Sequence, residues 1–532
     1  MNDISSLIDN LKAQGISLSL KDDDLEIHFS SDTLDFKVIE LIKKNKEGIR
    51  KFLASRISNN LISRIPLIND SISYPISPGQ KALWVISQSK EASVAYNMPR
   101  KLILEGDYDL KKLEIAVKEV VKRHEILRTV FKENLKGEVY QYILHIDDSD
   151  INLPYFDFSE RDSPLSSVDE FIDRDAKIPF DLEKGPLLKL ALFNISKSSS
   201  KYLLYFNIHH IICDAWSLQI LSRDLMEFYN HFNNNESISI PKLRIQYKDF
   251  SAWQNSQFKA DAFKNEKEFW INKLSGSLPI IDFPSYNCRP LIKSYNGHSL
   301  MTAISKDDLG RLKKYCQKCN GTPFMGFLSA LLAIVNRYSN NDDIIFGTVV
   351  TGRDNPELAE QIGFYVNTIA LRNDVFKEDS FDKLFNRVKV NTLDVFDNQN
   401  FPFDKLVEDL SLKRSSNRGA IFDIVLTYQV SKMDSNSKSL IEKSVKKEII
   451  DFGKCQSKFD LEFYFQEMDD NLFLTTNFNC DIYNYEIIEQ FLKHFKKLFS
   501  LLLRFPQVQI GTLNYLDKEE REQLLRTFND TA

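Results

Sequence analysis

The 532-residue sequence predicts a mixed α/β (α+β) protein: two α/β lobes of comparable size behind a miniature unit of helix, two strands and helix. Three observations carry this. The chain is longer than one hydrophobic core ordinarily organises. Strand-type alternation and helical spacing succeed one another in two similar runs, one from about residue 100 and one from about residue 296. A polar, aperiodic stretch, residues 57–73, separates both runs from the first 56 residues.

Within residues 1–56, Ile4, Leu7, Ile8 and Leu11 keep helical spacing and Gly15 supplies a stop. Ile16, Leu18 and Leu20 then alternate with polar residues, KDDD makes a turn, and Leu25, Ile27 and Phe29 alternate again, which is a hairpin signal. A second helix is expected from about Thr33 to Leu53, with Leu34, Val38, Leu41 and Ile42 on one face. A two-stranded sheet leaves an unpaired edge, a template for a strand from another chain. Lys43, Lys44, Lys46, Arg50 and Lys51 follow it, so an acidic extended peptide suits the unit. The bland alternative is a solvated basic face at a helix C-terminus.

The first lobe is expected over 74–245. It begins with a strand at about 100–105, a helix carrying Leu110, Leu113, Val117, Val120 and Val121, and apolar segments at 126–131 and 138–144. Strands at 187–195 and 202–209 then lead into a helix near Trp216. The second lobe, 246–515, opens with a strand near 296, a helix from Leu309, and a helix entered through Thr322-Pro323, where Thr can cap and Pro can occupy the first turn. Strands at 343–350 and 365–372, helices at 379–397 and 402–410, and strands at 421–430, 459–466 and 471–478 precede a final helix, Tyr485 to Leu503. Residues 516–532 read as the start of a linker.

Hydrophobic residues are 43% of the chain and charged residues 27%, a globular balance. A net charge of −6 offers nothing global to nucleic acid or an anionic membrane, so neither is an expected partner. The N-terminus, MNDISSLIDN, lacks a basic flank, and the longest uncharged apolar stretch, Phe324 to Val335, is too short to span a bilayer. A cytoplasmic location is the expectation, and six cysteines fit a reducing compartment. Cys316 and Cys319 form a CxxC, but inside a helical pattern and without a second ligand pair they read as packed thiols rather than a metal site.

The segment NIHHIICDAWS, residues 207–217, carries the densest chemistry. It joins the end of an apolar strand to the start of a helix, so His209, His210 and Asp214 fall on a turn held rigid on both sides. A neutral histidine there can accept a proton from an attacking amine or hydroxyl. Zinc lacks a third ligand at suitable spacing, and Cys213 is too close in sequence to His210 to make an ordinary nucleophile pair. Taken from the residues alone, general-base acyl transfer and a purely structural turn remain evenly matched.

Two resemblances bear on that balance. LIDNLKAQGISLSLKDDDLEIHF followed by IELIKKNKEGIRKFL resembles the TubC-type N-terminal docking domains of nonribosomal peptide synthetase subunits. HHIICDAWS is similar to the HHxxxDGxS signature of the condensation domains of those synthetases. SPGQKALW (77–84), RHEILRTVF (123–131), YKDFSAW (247–253), IGFYVNTIALR (362–372) and NQNFPFDKL (398–406) resemble further motifs of that family in the same order, from about 73 to 515.

The resemblance implies two chloramphenicol-acetyltransferase-like lobes in a V-shaped pseudo-dimer with a tunnel between them. Upstream and downstream carrier proteins would present thioesters on phosphopantetheine arms, so this chain itself would bind no cofactor. The acceptor amine would attack the donor thioester beside His210. His209 would serve the strand end, Asp214 would brace Arg128, and Arg123, Trp216, Ser217 and Asn367 would support the tunnel. Leu18, Leu20, Leu25, Ile27, Lys43, Lys44 and Lys46 would receive the C-terminal docking peptide of an upstream subunit. The opening motifs resemble those of domains accepting an L-configured or polyketide donor.

The sequence departs from the family at Ala215, where glycine is usual; alanine keeps the backbone N–H but resists positive φ and adds a methyl group. NGHSL (296–300) resembles a carrier attachment site but opens a strand-like segment, so Ser299 is expected to stay unmodified. LNYLDKEEREQLLRTFNDTA is similar to the linker that leads to an adenylation domain. A CoA-dependent acyltransferase and an inactive docking scaffold are the competing readings.

Overall fold

The first alternation folds as its pattern predicts. Strand β1 (Ile16–Lys21) runs antiparallel to β2 (Asp24–Phe29), pairing Leu18 with Ile27 and Leu20 with Leu25. The computed structural model describes residues 16–21, 24–29, 42–43, 45–50, 64–197, 200–234, 237–283, 287–410, 412, 416–431 and 449–522. The expected first helix and Lys44 lie outside the described residues. Of the expected second helix, residues 42–43 and 46–50 are helical, with Ile42 and Ile49 buried and Lys43 and Lys46 exposed.

The first lobe begins with β3 (Tyr74–Pro75) and α1 (Pro78–Ile86), started by a reciprocal cap in which the Ser77 hydroxyl accepts from the Gln80 amide and the Gln80 side chain accepts from Ser77 N–H. Next come α2 (Lys90–Val94), β4 (Asn97–Glu105), α3 (Leu110–Arg123), β5 (Thr129–Glu133), β6 (Val139–Ile143), β7 (Tyr155–Asp157), α4 (Pro164–Ala176), β8 (Leu188–Asn194), β9 (Lys201–His209) and α5 (Ala215–Asn234). A four-stranded sheet runs β4-β9-β8-β7, and a three-stranded one β3-β6-β5. The side chains of β9 from Leu203 to His209 are buried on both faces, as a near-continuous apolar run requires. Helix α3 turns Leu113, Ala116, Val117, Val120 and Val121 toward α5.

The expected end of this lobe at residue 245 cuts a packed segment. Helix α6 (Tyr247–Lys259) follows, and its Tyr247 and Phe250 belong to the first core. So do Leu358, Ile362 and Tyr365, which come from far along the chain. A segment of the second lobe therefore completes the first.

Helix α7 (Lys264–Lys273) leads to the second lobe: β10 (Asn296–Ile304), α8 (Lys306–Lys318), α9 (Pro323–Ser339), β11 (Asp343–Val350), β12 (Asn367–Asp374), α10 (Phe381–Asp397), α11 (Phe403–Asp409), β13 (Ile424–Ser431), β14 (Ile449–Gln456), β15 (Leu461–Met468), β16 (Asn471–Asn479) and α12 (Tyr485–Arg504). Its sheet runs β12-β11-β13-β15-β16-β10-β14. The apolar stretch Phe324 to Val335 is the central helix α9, buried without interruption from Met325 to Asn336 and capped by Thr322 as expected. Among the described residues no single helix is long and apolar enough to cross a membrane. Cys316 is buried, and burial pushes its thiol up to about 12. Ser299 lies within β10 and is largely buried.

Two glycines with positive φ separate crowding from conformation. Gly352 has φ +62°, and a Cβ there would stand 1.9 Å from the Tyr365 carbonyl oxygen; Gly453 has φ +82° with nothing within 4 Å of its would-be Cβ. Gly453→Ala is expected to cost about 1–2 kcal/mol, the left-handed penalty alone. Gly352→Ala is expected to cost well beyond that, because backbone must move; denaturant unfolding of the two variants reads the difference.

Candidate active site

Strand β9 ends at His209, residues His210–Ile212 form one 3₁₀ turn, and α5 begins at Ala215. The two adjacent histidines are held in opposite tautomers. The Ile211 N–H can only donate, and it donates to His209 Nδ1 at 3.2 Å, so His209 carries its proton on Nε2, 3.3 Å from Ser87 Oγ. The Cys213 carbonyl can only accept, and it lies 2.7 Å from His210 Nδ1, so that nitrogen carries the proton and Nε2 keeps its lone pair. Among the described residues Nε2 of His210 has no partner.

His210 is partly exposed where the two lobes meet. Its ring stands 6.3 Å from that of Tyr96 in the first lobe and 5.1 Å, edge-on, from that of Phe364 in the second. The Tyr96 carbonyl accepts from the His210 amide at 2.9 Å. Burial first, and the nearby charge of Lys458 second, lower both histidines to about 3. Each ring is therefore neutral at ordinary pH. The Cys213 thiol, buried and beside Asp214, is pushed well above its usual range and supplies no thiolate nucleophile.

Asp214 does not brace Arg128. Its carboxylate takes Nη2 of Arg353 at 3.1 and 3.2 Å, the Ser217 amide at 2.7 Å and the Tyr365 amide at 3.1 Å. Arg128 is committed elsewhere: its guanidinium donates to the Leu144 carbonyl where β6 ends, and the Leu144 amide returns a bond to the Arg128 carbonyl. That reciprocal pair holds the end of β6, and among the described residues no contact joins Arg128 to Asp214.

Arg353 fastens the turn to the second lobe. It also donates to Ser217 Oγ at 2.7 Å and to the carbonyls of Gln361, at 2.8 Å, and Leu358, and its guanidinium lies 4.2 Å from the Tyr365 ring centroid. Ser217 Oγ donates to the Gly363 carbonyl and accepts from the Gly363 amide, and Trp216 Nε1 donates to the Ala359 carbonyl at 3.0 Å. Tyr247, whose hydroxyl reaches the Phe364 carbonyl at 2.7 Å, adds a further tie. Turn 209–217 and segment 353–365 thus form one hydrogen-bonded body.

The remaining expected residues take quieter places. Arg123 pairs with buried Asp224 at 2.9 Å, alongside His124 at 2.8 Å, and so anchors α5. Asn367 ties the start of β12 to the carbonyls of Gln399 and Phe401 and accepts from the Phe403 amide. Ala215 opens α5, is exposed, and is absent from the positive-φ residues, so the backbone strain expected of a missing glycine does not arise. Arg353, Tyr96 and Lys458 escaped sequence reasoning. For Arg353 the available signal was a Gly-Arg pair just after a strand; for a lone lysine in CQSKFD there was none.

A model of the Condensation domain family matches residues 71–525. Gramicidin S synthase 2 of Brevibacillus brevis is 31% identical over 485 residues, 91% of this chain and 10% of that synthase. The chain thus spans about a tenth of the length of that relative. The X-domain from teicoplanin biosynthesis superposes with a TM-score of 0.74 at 19% identity, covering 85% of this chain and 100% of that one. The first condensation domain of the calcium-dependent antibiotic synthetase, solved with a substrate analogue, gives a TM-score of 0.66 at 16% identity, covering 84% and 100%. These two likenesses show a shared fold.

Two measurements check the site. Arg353→Met strands a buried carboxylate and is expected to cost about 3–5 kcal/mol, with much of the loss recovered when Asp214→Leu is added, whereas Arg128→Met has no such coupling to Asp214. Denaturant titrations of the single and double variants read this. Because the native pKa values of His209 and His210 lie below the ordinary value, the unfolded chain binds more protons between about pH 6.5 and 3. Their contribution is fully present above that window and is lost as pH falls through it; unfolding free energies across the window should fall less steeply in His209→Gln.

Proposed function

As the chain belongs to the condensation-domain family, we propose that it forms an amide bond between an acyl or peptidyl thioester on an upstream carrier protein and the amine of an aminoacyl group on a downstream carrier. The observation that carries this reading is the neutral His210 ring, locked with Nδ1 protonated and Nε2 unpartnered at the meeting of two lobes. A second nucleophile or a bound cofactor is not required. The phosphopantetheine arms belong to the carriers.

In this reading Nε2 accepts a hydrogen bond from the attacking amine, which orients the amine's lone pair toward the thioester carbon. The C–N bond forms as the C–S bond breaks, and the proton made acidic on nitrogen passes to the departing thiolate. Two tethered reactants held in attack geometry account for up to ~7–11 kcal/mol of the barrier. A general base typically adds 10²–10⁴-fold. With its pKa at about 3, His210 works mainly as an orienting acceptor and sits at the low end of that range. Ala215 stands at the start of α5 beside this turn, and in this reading its methyl group narrows the approach to His210.

The outer parts follow the same reading. The β1–β2 hairpin is a sheet of two strands, suited to receiving the C-terminal peptide of an upstream subunit as an added strand. A following adenylation domain supplies the downstream carrier's amino acid, and the donor is L-configured or polyketide-derived.

Condensation assays with separately loaded carriers test the proposal. The parent is expected to give amide product and His210→Ala to lose about 10²-fold in rate, with the acid limb of the pH profile unchanged because the substrate amine sets it. Absence of product from the folded parent with cognate carriers contradicts the reading, and equal turnover with free acyl-CoA favours a CoA-dependent acyltransferase. Ala215→Gly is expected to raise rates selectively with bulky acceptors; unchanged rates remove its gating role.

A further inference from the structure

Lys458 stands in the loop between β14 and β15, beside the reaction centre and outside the chemistry just described. Its Nζ lies 4.7 Å from the centroid of the Tyr96 ring, the same ring that faces His210. Its charge reaches both histidines. Burial lowers its own pKa; Glu462 opposes that shift and Arg100 adds to it. Arg100 comes from β4, the edge strand of the four-stranded sheet, and its charge acts on Lys458, Cys213 and Tyr464. Lys458 therefore sets a cation beside the ring that faces His210, and Arg100, exposed on β4, adds positive charge to its surroundings.

Neither has an anion. Among the described residues no carboxylate forms an ion pair with Lys458 or Arg100, and Arg100 donates only to the adjacent Pro99 carbonyl. The acid whose charge acts on Lys458, Glu462, has Oε1 engaged by two backbone amides, Lys458 N at 2.8 Å and Phe459 N at 3.2 Å. A desolvated cation without a counter-ion, with further positive charge acting on it, is stabilised by an anion placed against it. Two arginines elsewhere in this lobe are paired, Arg289 with Asp460 at 2.5 Å and Arg418 with Asp423 at 3.0 Å, whereas Lys293 lies over the Phe459 ring at 5.4 Å without an ion pair among the described residues, but away from His210.

We propose that Lys458 recognises a carboxylate carried by the group being joined at His210. This rests on the condensation reading and names its substrate class: a donor or acceptor with an acidic side chain or other free carboxylate. Lys458 is a specificity-determining residue that touches substrate away from the reacting atoms. The bond-forming step itself is unchanged.

The test compares carriers loaded with aspartyl or glutamyl groups against asparaginyl or glutaminyl groups, in the donor and acceptor positions separately, using the full chain. The parent is expected to favour the carboxylate by about tenfold or more in kcat/KM at one of the two positions, the value of one charge-assisted hydrogen bond. Lys458→Met should bring that ratio toward one, Lys458→Glu should invert it, and Lys458→Arg should keep its sign, each with a melting profile recorded. Product formed with no carboxylate preference at either position overturns the inference while leaving the condensation reading intact. No product from any pair overturns the condensation reading instead. The parent's own ratio needs no variant, so a misfolded variant does not remove the test.

Discussion

The ion pair between Asp214 and Arg353 joins two stretches 139 residues apart in a place where the side chains are 0% and 3% exposed. Such a pair is costly to desolvate, and further hydrogen bonds offset much of that cost: Asp214 also takes two backbone amides, and Arg353 also reaches Ser217 and two carbonyls, although Arg353 Nε and the Tyr365 hydroxyl stay unpartnered. Its consequence is positional. The turn that carries His210 belongs to the first lobe, while the segment that covers it, 353–365, belongs to the second, and the pair makes them one body. Gly352 permits it, since the chain passes the Tyr365 carbonyl too closely for any side chain.

From that body follows the chemistry of the histidines. With Cys213 and Asp214 fixed, the Cys213 carbonyl meets His210 Nδ1 and selects the tautomer that leaves Nε2 as acceptor. His209, one residue earlier, is turned into the core and uses the same nitrogen, Nδ1, in the opposite role, as acceptor for the Ile211 amide. Lys458 and burial together keep both rings neutral. A pair of histidines that looks redundant in sequence thus divides into a strut and an acceptor.

Local patterns carried most of the fold because they are local. The β1–β2 alternation, the apolar run of β9 and the capped entry of α9 each report their own surroundings. Elements with little buried surface were missed: α7 buries only Trp270, α4 only Val168 and Ile172, and β14 is an edge strand that buries only Ile450. The turn 207–217 was legible as a candidate site, with His210 as its candidate acceptor. Its partners were not. Arg128 shares a motif with the first lobe and looked the natural mate of Asp214, but pairing is decided by where β6 ends and where segment 353–365 crosses, and spacing encodes neither. Lys458 gives no sign in sequence because its meaning lies in the carboxylate it lacks.

The central claim is that the locked turn presents a neutral His210 with Nδ1 protonated and Nε2 free. Two-dimensional ¹⁵N–¹H spectroscopy of histidine-labelled protein, with His210→Gln for assignment, reads this directly. The account predicts a pyridine-type shift at Nε2 and a protonated Nδ1 that persist from pH 7 to about pH 5, well below the ordinary histidine range. A ring that titrates near pH 6.5, or that carries its proton on Nε2, would contradict it.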